Sequence, residues 1–155
     1  MTKKALVVSG GGANGAWGAG IAQGLYDFHK KDYDVYVGTS TGSLMVPLIA
    51  SKEFDKLKEG YTSTTMDSIY KVSPFKKDGS IKIFNLFWRL ITFKKTIGDS
   101  SNFSNLIKKF FDLATYQKII DSQKEVVSCV TNLNKEHKAE YYKISECSLE
   151  DYRDW

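Results

Sequence analysis

The sequence predicts an α/β protein built on a parallel sheet. Three observations carry that expectation. A short branched apolar run, Ala5 to Ser9, stops at glycines and is followed by a stretch with helical periodicity. A second apolar run, Tyr33 to Gly38, leads straight into another apolar helical stretch, Gly42 to Ser51. Strand, helix, strand, helix within the first 50 residues requires crossover connections, which place parallel strands under helices.

Taken in order, Ala5–Ser9 reads as a buried strand and Gly10–Gly15 as a loop. Ala16 to about Lys30 reads as a helix, with Trp17, Ile21, Leu25 and Phe28 recurring on one face. Gly18, Gly20 and Gly24 weaken that helix intrinsically, and close packing against a sheet is the reason expected for them. Lys30-Lys31-Asp32 is a polar connection before the second strand. Pro47 is expected to kink the second helix or to mark its first turns. Glu53–Tyr61 is a short helix, Thr62–Thr65 and Ser73-Pro74 are breaks, and Lys77-Asp78-Gly79-Ser80 is a turn. Residues 81–93 mix large apolar side chains with Lys82 and Arg89, which suits a helix docked on the sheet or an amphipathic segment touching a membrane. Phe103–Phe111 continues as helix, and Tyr116–Asp121 is another short apolar piece. Val126–Val130 and Ala139–Ile144 are strand candidates joined by a polar turn, a hairpin pattern. A last helix start falls at Ser148.

Composition bounds the function. A chain of 155 residues with 42% hydrophobic content builds a core and suits a single domain, here 1–155. The net charge of +4 fits peripheral contact with an anionic membrane surface, and its scattered basic residues do not form a nucleic-acid face. Cys129 and Cys147 are too few and too unpatterned for a disulfide framework or a metal site, and are expected as reduced thiols. Neither a signal-peptide core nor a transmembrane span is visible, so a cytoplasmic protein, free or membrane-associated, is the expectation.

The chemistry concentrates at two glycine stretches. Gly38-Thr39-Ser40-Thr41-Gly42, between a strand and a helix, is the pattern of a nucleophile elbow. The turn is sharp, so the positions two before and two after the serine, Gly38 and Gly42, must be small. The serine hydroxyl then stands at the positive end of a helix, which favours a developing anion. Gly10-Gly11-Gly12 follows the first strand, and bare backbone N–H groups there can face that anion. The amides of Gly11, Gly12 and Thr41 are the expected donors, each worth on the order of 3 kcal/mol to a transition state. Gly10-x-Gly12-x-x-Gly15 also matches a dinucleotide-binding fingerprint, but the second strand ends without the carboxylate that would hold a ribose.

With these two motifs in this order, Gly10-Gly11-Gly12-Ala13-Asn14-Gly15 and Gly38-Thr39-Ser40-Thr41-Gly42, the chain resembles the patatin-like phospholipase family. The polar turn Asn132-Leu133-Asn134 after a strand is similar to that family's middle region. The resemblance covers residues 4–50 closely and 124–144 loosely. It implies a three-layer α/β/α fold, lipid acyl hydrolysis without a metal or other cofactor, and a Ser–Asp dyad. By motif position, Ser40 is the nucleophile and Gly10, Gly11 and Gly12 form the oxyanion loop. Asn14 stands where the family usually carries Arg or Lys.

The family's aspartate lies in a downstream Asp-Gly-Gly or Asp-Gly-Ala turn. This chain has a single Asp-Gly, Asp78-Gly79, followed by Ser80 and placed before the Val126 strand, where a surface turn is the reading. Asp151 and Asp154 are not followed by glycine, and His137 sits in a charged turn. The expectation is therefore a partial domain whose base lies beyond Trp155. The alternative is a remnant without turnover that keeps lipid-facing aromatics such as Phe84, Phe87 and Trp88.

Overall fold

The computed structural model describes residues 2–71, 76, 80, 82, 101–132 and 138–153. It divides into two compact units, Met1–Thr62 with Phe110–Trp155, and Ser63–Lys109. The first unit holds β1 (Ala5–Val8), a 3-10 turn (Gly12–Asn14), α1 (Gly15–Asp27), β2 (Val35–Thr39), α2 (Thr41–Ala50) and α3 (Phe54–Ser63). After the second unit the chain returns to the first with α6 (Leu113–Ser122), β3 (Glu125–Asn132), β4 (Lys138–Lys143), a 3-10 turn (Ile144–Glu146) and α7 (Leu149–Arg153). The second unit contains α4 (Met66–Ile69) and most of α5 (Ser101–Phe110). Within it, Asn102 Nδ2 donates to the carbonyl of Asp67 at 3.0 Å.

The sheet runs β1-β2-β3-β4. Its first three strands are parallel and β4 returns antiparallel along β3, so the expected hairpin forms. Helices flank this mostly parallel sheet, and the fold is α/β as predicted. The register Val8↔Gly38 lines up the ends of β1 and β2. Both glycine stretches therefore leave the same edge of adjacent parallel strands, the edge where α/β proteins bind ligands.

The core centres on α2. Met45, Val46, Leu48, Ile49 and Ala50 are buried there against Tyr36 of β2, Val126 of β3, Ile119 of α6 and Tyr152 of α7. A helix apolar on all sides belongs inside a fold, which is why this one sits under the sheet's centre. Pro47 lies in the seventh position of α2, past its first turns. The missing N–H leaves the Ser43 carbonyl without its i+4 donor. The Ser128 hydroxyl of β3 supplies one, 3.0 Å away.

Two expectations for α1 are corrected. The face carrying Trp17, Ile21, Leu25 and Phe28 is not the buried one: Trp17 is 78% exposed and Phe28 84%, and the buried residues are Ala19 and Ala22. Nor do all its glycines mark close packing. A Cβ on Gly18 would touch Met45 Cε of α2 at 3.5 Å, whereas one on Gly20 would meet nothing within 4 Å. Small residues face α2 because Met45 and Tyr61 come too close for larger ones, which leaves the big apolar side chains outward. Gly10–Gly15 is also not wholly loop, since Gly12–Asn14 form a 3-10 turn and Gly15 opens α1. A Cβ on Gly15 would collide with the Tyr61 hydroxyl, 2.9 Å from Cζ.

At the far end of the sheet, Asp32 joins the connection before β2 to the end of α2. It accepts from Tyr36 OH at 2.6 Å and from Lys124 Nζ at 2.7 Å, and Lys52 Nζ lies 3.3 Å from its other oxygen. Burial opposes ionisation of Asp32, yet the bonds from Lys124, Tyr36 and the Tyr33 amide hold its carboxyl far below the usual range. Cys129 and Cys147 are both free thiols.

Candidate active site

Ser40 joins β2 to α2 with φ 54° and ψ −125°, a left-handed conformation that a non-glycine residue rarely adopts. The close approaches around it explain why it is held there. A Cβ on Gly38 would collide with the Gly42 carbonyl and lie 2.7 Å from Ser43 N. A Cβ on Gly42 would collide with the Val8 carbonyl of β1 and lie 3.1 Å from the Ser9 oxygen. The elbow is thus wedged between its own strand and the neighbouring one, and only hydrogen fits at either glycine. Ser40 is exposed, and although it stands at the N-cap of α2 its hydroxyl makes no capping hydrogen bond.

The glycine loop lies directly over this serine. A Cβ on Gly10 would sit 2.6 Å from Ser40 Cβ and 3.2 Å from Ser40 Oγ. Gly12 takes φ +56°, which turns the loop into α1 at the cost only glycine avoids. The amides of Gly12 and Gly11 both donate to Thr41 Oγ1, at 2.8 and 3.2 Å. Thr41 is the first residue of α2, so its own N–H has no acceptor within the helix. The structure therefore gathers Gly10, Gly11, Gly12, Ser40 and Thr41 at one point, with Gly38 and Gly42 beneath them. Gly15 stands apart from that point, packed on Tyr61.

An open cleft of about 340 Å³ runs beside the loop at Gly10 and Gly11, without Ser40 among its lining residues. Gly10, Gly11 and Asn14 line its polar end, and Val7, Trp17 and Ile21 line its apolar wall. The outward apolar face of α1 is thus part of a groove that meets the glycine loop.

Three residues beneath the elbow were not singled out by the sequence. Ser43 Oγ lies 2.9 Å from the Gly38 carbonyl and 3.0 Å from that of Cys129, bridging the elbow to β3. Ser128 Oγ donates to Ser43 O and receives a short hydrogen bond from Tyr152 OH. Ser43, Ser128 and Tyr152 are all buried. Burial drives the Tyr152 hydroxyl well above its ordinary pKa, so it stays protonated as a donor. Ser43 and Ser128 had one legible signal, a polar residue inside an otherwise apolar run.

Among the described residues, no carboxylate or imidazole hydrogen-bonds Ser40. Asp151 faces Ser148, whose hydroxyl donates to it at 2.7 Å and also caps α7 through the Asp151 amide. Asp78, His137, Asp154 and the aromatics Phe84, Phe87 and Trp88 lie outside the described residues. No group of three or more His, Cys, Asp or Glu among the described residues could hold a metal. No helix among them is long and apolar enough to cross a membrane.

The structure thus sets a glycine loop over a strained, exposed serine at the carboxyl ends of parallel strands, where the two glycine motifs of the sequence meet. The chain is a member of the patatin-like phospholipase family, whose model matches residues 6–145. It is also similar to the uncharacterized protein L620 of Acanthamoeba polyphaga mimivirus, 28% identical over 120 residues. That match covers 72% of this chain and 29% of the viral protein. No solved structure matches the chain significantly.

Proposed function

We propose that this chain carries the nucleophile half of a lipid acyl hydrolase. Ser40 Oγ attacks the carbonyl carbon of a lipid ester and gives its proton to a base. The carbonyl oxygen becomes an oxyanion held by the amides of Gly11, Gly12 and Thr41, with Gly10 leaving room for it beside Ser40. The intermediate collapses, the alcohol leaves with the proton from the base, and water releases the acid from the acyl-enzyme. The apolar wall of Val7, Trp17 and Ile21 receives the acyl chain. The base in this reading is an aspartate outside the described residues, as the family resemblance suggests.

One observation supports this reading above the others. Ser40 is exposed in a left-handed conformation with Gly10 against it. Strain of that kind costs about 1–3 kcal/mol and persists where a reactive side chain must be presented. The absence of a hydrogen-bonded base among the described residues favours a second reading, a lipid-binding module without turnover. Intact-mass analysis after treatment with a fluorophosphonate separates the two. A single adduct on the wild type that is lost in Ser40→Ala supports the hydrolase. A folded protein that takes no adduct supports the binding module.

A further inference from the structure

Thr41 brings its side chain, as well as its backbone, to the glycine loop. Gly12 N–H donates to Thr41 Oγ1 at 2.8 Å and Gly11 N–H donates to the same oxygen at 3.2 Å. Two amides converging on one oxygen is the arrangement that an oxyanion site offers its ligand. Here that oxygen belongs to the protein.

We propose that the Thr41 hydroxyl is the resident occupant of the Gly11–Gly12 amide pair, and that a ligand oxygen enters only when this side chain rotates away. The proposal rests on the assignment of those amides to the oxyanion site. Its physical basis is the difference between acceptors. Hydrogen bonds to an ionised oxygen are roughly twice as strong as those to a neutral one. A neutral hydroxyl can therefore keep two bare amides satisfied and aimed at rest, yet give way to a developing alkoxide. A ground-state ester carbonyl, itself neutral, displaces it far less readily. Occupancy by Thr41 thus weakens binding of the neutral ester carbonyl while leaving the gain on reaching the alkoxide intact.

The side chain is free to make this exchange. Thr41 opens α2, so no preceding helical turn offers its hydroxyl a carbonyl, and the residue is only half-buried. Leaving the amides needs one rotation of χ1 between staggered rotamers.

Dimethyl phosphate, a compact tetrahedral anion, tests the proposal without requiring Ser40 to react. Binding to the full chain is followed at the backbone amide signals of Gly11 and Gly12 by NMR. Thr41→Ala, which frees the amides, is expected to bind the anion about tenfold tighter than wild type, because occupancy lowers apparent affinity by the fraction of free site. Thr41→Ser keeps the hydroxyl and is expected to bind like wild type. In the wild type, saturation with the anion is expected to switch the Thr41 χ1 rotamer, read from its three-bond couplings. No gain in affinity for Thr41→Ala, or binding to the wild type with the rotamer unchanged, overturns the proposal. Fluorophosphonate labelling of the same proteins reports separately on hydrolysis. A missing adduct alongside the expected binding shifts defeats the hydrolase reading and leaves the Thr41 assignment standing.

Discussion

The hydroxyl of Ser128, on β3, donates to the carbonyl of Ser43, on α2, across 3.0 Å. That carbonyl is the one Pro47 deprives of its intrahelical partner. A proline in the middle of the buried helix that follows Ser40 is thus tolerated because the neighbouring strand replaces the lost bond. Ser128→Ala leaves a buried carbonyl unsatisfied and is expected to destabilise the chain by about 1–3 kcal/mol. Pro47→Ala restores the helical N–H, so the loss from Ser128→Ala should shrink in that background. A double-mutant cycle by urea unfolding measures this coupling, and additive effects would contradict it.

The strain at Ser40 predicts an unusual stability order. Glycine adopts positive φ without penalty, whereas alanine keeps the cost that serine bears. Ser40→Gly is therefore expected to be more stable than Ser40→Ala by about 1–2 kcal/mol. Gly42→Ala, whose Cβ would enter the Val8 carbonyl, should cost about 1–3 kcal/mol or more through overpacking. Chemical denaturation of the three variants checks the order.

Two glycines of α1 should respond in opposite directions to one substitution. Gly20→Ala adds a methyl in open space within a helix and is expected to stabilise by about 0.5–1 kcal/mol. Gly15→Ala drives the same methyl into Tyr61 and should destabilise. Equal shifts in Tm for the pair would mean that α1 does not pack on Tyr61 as described.

Asp112 links stability to acid pH. It caps α6 by accepting from Thr115 N at 2.9 Å and pairs with Lys56 Nζ at 2.9 Å. Burial alone would raise its pKa, but the bonds from Lys56 and Thr115 lower it to about 2. Because the folded value lies below the unfolded one, the carboxylate stabilises the protein above its ordinary pKa. That contribution fades as pH falls toward about 2. Asp112→Asn keeps a capping oxygen without the charge, so its loss of stability from about pH 5 down to the acid limb should be flatter than in wild type. Thermal unfolding across that range reads the difference.

The elbow was legible because its demands are local. A sharp strand-to-helix turn requires small residues at fixed offsets, and Gly38 and Gly42 supply them in the sequence. The strands and most helices of the first unit were legible for a similar reason, since apolar periodicity reports an element's type even where its ends shift; Tyr116–Asp121, read only as a short apolar piece, lies within α6. The orientation of α1 was not. Periodicity ranks faces by hydrophobicity, but the close approach of Met45 and Tyr61 admits only Gly15, Gly18, Ala19 and Ala22 on the inner side.

The sequence by itself determined the α/β class, the serine and the glycines that surround it, because each depends on residues near in the chain. Tertiary structure alone decided that Gly10 rests on Ser40, that Thr41 fills the amide pair of Gly11 and Gly12, and that Ser128 serves the carbonyl freed by Pro47. These contacts join residues from 29 to 85 positions apart. Such pairings are set by strand register and helix packing, which no local pattern encodes.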